Sequence, residues 1–122
     1  VVVSSGPYEY HQIGGKMVAD IFEIHGWDSY FLGANTRPEQ LLGELRRRQP
    51  DLLAFSAALP ESIPSLQESL CAVRGEFPGL PVLIGGKAIA GGAGMDLATE
   101  PGVTLMTTLD ELESFLNEPN AA

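Results

Sequence analysis

Residues 9–15, Glu-Tyr-His-Gln-Ile-Gly-Gly, set a carboxylate, an imidazole and two glycines side by side just after an apolar Val-Val-Val start. An imidazole near the first turn of a helix is held neutral by the helix dipole, and neutral imidazole is the form that ligates a metal. Glu9, two residues before His11, can take the hydrogen of the second ring nitrogen, which fixes the tautomer and raises the basicity of the first. Gly14 and Gly15 carry no side chain and leave room for something bulky to come close. A zinc site would need further ligands, and His25 and Cys71 fall in helical stretches with no pattern that brings them to His11. Two readings stay open at this point. His11 only serves a strand-to-helix turn, or it ligates a metal whose remaining positions are filled by a macrocycle.

The elements that must position these residues alternate along the chain. Val1 to Ser5 reads as a buried strand, and from Gly14 or Gly15 to His25 the apolar residues Val18, Ile21 and Phe22 recur at helical spacing until Gly26 stops them. Ser29 to Gly33 reads as a second strand. Thr36 is expected to cap the next helix, with Pro38 in its first turn, Glu39 completing a capping box, and Leu41, Leu42 and Leu45 facing inward. Asp51 to Ala57 is a third strand. Ser62 is expected to cap a helix whose apolar positions Ile63, Leu66, Leu70, Val73 and Phe77 step by 3, 4, 3 and 4. Leu80 to Gly86 is a fourth strand, apolar throughout, as suits a sheet covered on both faces. The glycine-rich residues 87–100 read as a loop with a short helix at Met95 to Thr99, and Gly102 to Thr107 as a fifth strand. Thr108 to Glu111 forms a second capping box, opening a helix with Leu109, Leu112 and Phe115 or Leu116 inward.

Five strands alternating with helices imply right-handed crossovers and an α/β fold. The expected arrangement is a flavodoxin-like, Rossmann-like, doubly wound parallel sheet of strand order 2-1-3-4-5, with residues 1–122 as a single domain. A ligand then lies beyond the carboxyl ends of the strands. Those ends collect small residues: Ser56 after the third strand, Gly85 and Gly86 after the fourth, Thr107 after the fifth. Their chemistry excludes several occupants of such folds. A phospho-acceptor site lacks its aspartate, since Ser56 ends the third strand. The long first loop with Pro7, Tyr8 and Tyr10 does not match a short flavin-phosphate loop, and no G-x-G-x-x-G follows any strand.

Composition narrows the rest. Sixteen acidic against seven basic residues give a formal charge of −9, and the one basic run, Arg46 to Arg48, suits a helix carboxyl end. Direct contact with nucleic acid or an anionic membrane is therefore not expected. A single cysteine, Cys71, excludes an internal disulfide, and as a neighbour of the apolar stripe it reads as a small buried filler. No apolar run reaches membrane-spanning length and the start lacks a basic flank, so a cytoplasmic location is expected. The chain opens inside a strand without Met, which suggests a fragment of a longer protein. Trp27 reads as a cover over a helix end, and His25 as a helix carboxyl-terminal residue.

Taken with their strand contexts, these residues resemble the cobalamin-binding domain family. Its hallmark is D-x-H-x-x-G after the first strand, S-x-L after the third and G-G after the fourth. Glu9, His11 and Gly14 match the first, Ser56 the second, and Gly85 and Gly86 the third. The resemblance implies cobalamin bound base-off, with His11 as the lower axial ligand to cobalt and Glu9 as its hydrogen-bond partner. It implies a dimethylbenzimidazole tail threaded past Ser56 and Gly85 to Gly86. Tyr10, Gln12, Ile13, Ala58, Leu59 and Lys87 join the implied binding set, Lys87 by meeting a phosphate or amide of the tail. Glutamate stands where the family has aspartate, and Ala58 where S-x-L has leucine, with Leu59 one place later.

Residues 25–42 and 55–67 look similar to those of cobalamin-dependent light-sensing regulators. That likeness implies a sensory module using adenosylcobalamin, with methylcobalamin as the other form. It also implies a helical cap or effector domain in the same protein or in a partner. The alternative is a corrinoid carrier module of a methyltransferase or mutase system, although the family's carrier pattern continues with an acid and an asparagine that Gln12 and Lys16 do not supply. No nucleophile–base pair or paired carboxylates suggest catalysis by this chain alone.

Overall fold

The computed structural model describes residues 1–5, 13–33 and 35–117. Its strands are β1 (Val2–Ser5), β2 (Tyr30–Phe31), β3 (Leu53–Ser56), β4 (Val82–Gly85) and β5 (Val103–Leu105). They form one parallel sheet in the order β2-β1-β3-β4-β5, as the alternation of elements implied. The helices are α1 (Ile13–Ile24), α2 (Pro38–Arg48), α3 (Ile63–Glu76), α4 (Lys87–Ala90) and α5 (Leu109–Leu116).

Strand alternation sets the layers, because successive side chains point to opposite faces of a sheet. Val2, Leu53, Phe55, Val82 and Ile84 bury against Leu41 and Leu45 of α2 and Leu66, Leu70 and Val73 of α3. Val3, Ala54 and Leu83 point the other way, to Ala19 and Phe22 of α1 and Leu112 and Leu116 of α5. Thus α1 and α5 share one face, and α2 and α3 the other. The chain reverses its direction of travel across the sheet between β1 and β3, and the crevice of a doubly wound sheet opens at such a point.

Several local expectations change. Thr36 is buried and its hydroxyl donates to the Gly33 carbonyl at 3.4 Å, so Arg37 takes the N-cap position of α2 without a side-chain cap. Pro38 at the helix start removes one otherwise unpaired amide and presets the helical φ. Ser62 belongs to a 3-10 turn, Pro60–Ser62, that runs straight into α3, and it makes no cap hydrogen bond. Cys71 is exposed rather than a core filler. It sits one residue, about 100°, round the helix from buried Leu70. The glycine-rich stretch holds the 3-10 helix at Met95–Thr99 as expected, and also the short α4.

The second capping box forms in a modified way. Thr108 Oγ1 accepts from the Glu111 amide at 3.1 Å, but the Glu111 carboxylate accepts from the hydroxyl and amide of Thr107. Those two bonds hold the Glu111 carboxyl below its usual range, the hydroxyl contributing most. The contact is complete at neutral pH and is lost as pH falls through that lowered value. Thr108→Ala removes the cap acceptor and is expected to cost about 1 kcal/mol, read as a fall of a few degrees in Tm. An unchanged Tm would mean that α5 is held by Leu112 and Leu116 alone.

Candidate functional site

Three small residues stand level at the carboxyl edge of the sheet. Ser5 of β1 is in register with Ser56 of β3, and Ser56 with Gly85 of β4. Ser56 is buried, and the ladder continues one step beyond it, where the Ala57 amide donates to the Gly85 carbonyl at 2.9 Å. Gly86 then crosses tight against Ala57 with φ +111, so a Cβ there would lie 2.3 Å from the Ala57 carbonyl oxygen. At Gly85 a Cβ would come within 3.2 Å of the Met106 carbonyl oxygen. A side chain at Gly85 would thus be tight, whereas Gly86 is required by the backbone itself. It brings β4 into α4 with the Ala88 amide donating to the Ala57 carbonyl at 3.1 Å.

Beside this turn lies a groove of about 240 Å³, lined by Gly85, Gly86, Lys87 and Ala90 on one side and Met106, Thr107, Thr108, Leu109 and Leu112 on the other, with Val18 of α1 closing it. It sits at the carboxyl ends of β4 and β5, between α1 and α5. Val18, Met106, Leu109 and Leu112 make its walls apolar, while Thr107, Thr108 and Lys87 bring hydroxyls and a cation. Such a mixture, mostly apolar with a few convergent polar groups, is what small organic ligands use.

The sequence-derived set divides against this geometry. Gly85, Gly86 and Lys87 line the groove; Ser56 neighbours Gly85 in the sheet but does not line it. Ala58 and Leu59 follow β3 into the 3-10 turn, with Leu59 substantially exposed at the carboxyl side. Glu9, Tyr10, His11 and Gln12 lie outside the described residues, as does Tyr8. Ile13 and Gly14 begin α1. The space at Gly15 is taken by the protein itself, since a Cβ there would lie 2.7 Å from the Phe31 ring. Trp27 packs edge-on against Phe22 at 5.2 Å, as a helix-end cover. His25 Nδ1 lies 3.0 Å from the Ile21 carbonyl oxygen at the end of α1.

Ala90 and Met106 have no signal in the sequence, and Val18, Leu109 and Leu112 read only as apolar helix positions. Leu109 proves exposed, on the groove. Only its position directly after the fifth strand could have marked it. A larger crevice of about 400 Å³, lined by residues that include Trp27, Asp28, Tyr30, Arg48 and Asp51, opens at the amino ends of the strands. Its guanidinium is already committed, stacked 3.9 Å from the Tyr30 ring centre and paired with Glu44 at 2.7 Å. Among the described residues no three His, Cys, Asp or Glu side chains gather as a metal cluster, and no helix is long and apolar enough to cross a membrane.

A family model described as the B12 binding domain matches residues 1–106. Among curated proteins, none matches the chain in sequence. Of solved structures, a novel cobalamin-binding protein from Desulfitobacterium hafniense is similar at 23% identity and TM-score 0.65, covering 70% of this chain and 42% of that one. The methanol:cobalamin methyltransferase complex of Methanosarcina barkeri is similar at 16% identity and TM-score 0.81, covering 93% of this chain and 43% of that one. The monomethylamine corrinoid protein of the same organism is similar at 17% identity and TM-score 0.77, covering 93% of this chain and 54% of that one. This chain therefore spans about half, or less, of the length of each of these proteins.

Proposed function

The chain belongs to the B12 binding domain family, and from that membership we propose that it holds cobalamin base-off, with His11 as the lower axial ligand to cobalt. Glu9 accepts the hydrogen of the second ring nitrogen and keeps the ligating nitrogen free. The groove beside Gly85 and Gly86 would hold the displaced dimethylbenzimidazole, and that groove is the observation that supports this reading. Its walls, Val18, Met106, Leu109 and Leu112, suit the flat faces of a heteroaromatic base, and Thr107 and Thr108 suit a ribose. Ser56 and Leu59 flank the same carboxyl side, which would carry the corrin. When bound, cobalamin supplies a cobalt–carbon bond; the residues of this chain bind it, orient it and keep water from its tail.

Carriage of a methyl group to a partner methyltransferase is supported by the kind of proteins the fold is similar to, one a methyltransferase complex and one a corrinoid protein. A sensory, light-responsive use rests on the likeness of residues 25–42 and 55–67 alone. The two uses separate in one experiment: titration with methyl- and adenosylcobalamin followed by ultraviolet–visible absorption in the dark, then sedimentation before and after green light. A carrier keeps its association state; a light sensor changes it. No spectral change with either corrinoid would refute both.

Val18→Phe tests the groove. A phenyl ring placed there is expected to compete with the base and weaken cobalamin binding about tenfold or more, with Tm shifted by only a few degrees. Unaltered affinity would place the tail elsewhere.

A further inference from the structure

Exposed apolar side chains and unbalanced charge fall on the same layer of this fold. Among the described residues no exposed large apolar side chain belongs to α2 or α3, whereas Met17 and Ile24 of α1 and Leu109 of α5 are all exposed, Ile24 to 80%. Met17 and Ile24 are seven residues apart and so nearly in line along the helix. They point away from Ala19 and Phe22, which seat α1 on the sheet. The outward line of a surface helix is ordinarily its polar one. Half-buried Ile21 and Val18 continue the stripe round the helix toward α5, where Val18 and Leu109 line one groove. Charge divides the same way. The helices α2 and α3 together carry four acidic and four basic residues, while α1 and α5 carry five acidic residues and Lys16 alone. Lys16 is taken by Asp20 at 2.5 Å, Glu23 accepts from Ser29 Oγ at 3.1 Å, and Glu111 is held by Thr107. Among the described residues Asp110 and Glu113 have no ion-pair partner. Glu113 stands one turn on from Leu109, on the side of α5 that faces Val18.

We propose that the outer face of α1 and α5 is a docking surface for a basic amphipathic helix of a partner protein. The apolar side of that helix lies on Met17, Ile21 and Ile24, and its lysines or arginines meet Asp110 and Glu113. The inference stands apart from the cobalamin reading, because it concerns the outward side of these helices. Charge selects the occupant. A second copy would set five carboxylates against five, and an anionic membrane would meet the same repulsion. A helix with an apolar stripe flanked by cations matches both features of the face at once.

The probe is a synthetic amphipathic helix with leucines along one face and lysines elsewhere, titrated against the purified protein by fluorescence anisotropy. Ile24→Glu and Met17→Glu are each expected to weaken binding about tenfold, although each adds a charge that by itself would attract the probe. Both positions are exposed, so Tm is expected to stay within about 2 °C of wild type. Gln67→Glu places the same charge on the exposed side of α3 and is expected to leave affinity unchanged. Glu113→Gln is expected to weaken binding about two- to threefold and to flatten its salt dependence. Unchanged or tighter binding by Ile24→Glu would reduce the attraction to net charge and overturn the proposal. Equal binding of a scrambled peptide of the same composition would do the same. A concentration-dependent dimer, seen by sedimentation and lost in Ile24→Glu, would give the face to a second copy instead. None of these outcomes touches the cobalamin reading, which stands or falls with the corrinoid titration.

Discussion

Gly86→Ala is expected to lower the melting temperature by roughly 10–20 °C. Two costs add. A non-glycine residue at φ +111 with extended ψ occupies a backbone region that is essentially glycine-only, at about 1–3 kcal/mol. The new Cβ also lies 2.3 Å from the Ala57 carbonyl oxygen and 2.9 Å from its nitrogen, both backbone atoms that cannot rotate away. Relieving that overlap forces β3 and β4 apart where the Ala57 amide meets the Gly85 carbonyl, at about another 1–3 kcal/mol. A loss of about 4 kcal/mol is a large share of a typical domain's 5–15 kcal/mol. Gly79→Ala is the matched control, since a Cβ there meets nothing within 4 Å and the residue has no positive φ. Its Tm is expected to match wild type. If Gly86→Ala also melted with wild type, the tight crossing would not be what retains this glycine.

His11→Ala is expected to weaken cobalamin binding by about 100-fold or more, because removing a metal ligand exceeds the 10- to 100-fold cost of removing its hydrogen-bond partner. Glu9→Gln, which disturbs only that partner, is expected to stay within the smaller range. The pH dependence should separate the two residues' roles from a general loss of the site. Imidazole must be neutral to ligate, so wild-type affinity is expected to fall on acidification, while the alanine variant stays flat. Isothermal titration across pH 5 to 8 reads both effects. Equal affinity and an equal pH profile in wild type and His11→Ala would remove His11 from the coordination of cobalt.

The fold was legible because period-2 and period-3.6 patterns seldom conflict in this chain. Val2 against Val3, and Leu53 and Phe55 against Ala54, already divide the two faces of the sheet, and the 63-66-70-73 stripe already marks α3. What was misjudged depended on neighbours distant in sequence. Thr36 and Ser62 have the right side chains for caps, but a burial that favours the Gly33 carbonyl and a 3-10 entry into α3 decide otherwise. Cys71 was placed by adjacency to Leu70, whereas helical geometry turns it outward. At the site, the small residues at strand ends could be collected from the sequence, because Ser56 and Gly85 each close a strand. The groove walls could not. Val18 and Leu112 belong to helices that converge only through packing on Ala54 and Leu83, and Leu109 reads as an ordinary inward leucine until the groove opens beside it.

Electron paramagnetic resonance of cob(II)alamin bound to the protein, expressed with all histidine nitrogens as nitrogen-15, puts the central claim to its most direct test. The nucleus beneath cobalt splits each cobalt line, into three if it is the nitrogen-14 of dimethylbenzimidazole and into two if it is the nitrogen-15 of the protein. Doublets are the predicted result, collapsing in His11→Ala and leaving His25→Ala unchanged. Triplets would contradict it, by showing that cobalamin keeps its own base and that His11 ligates nothing.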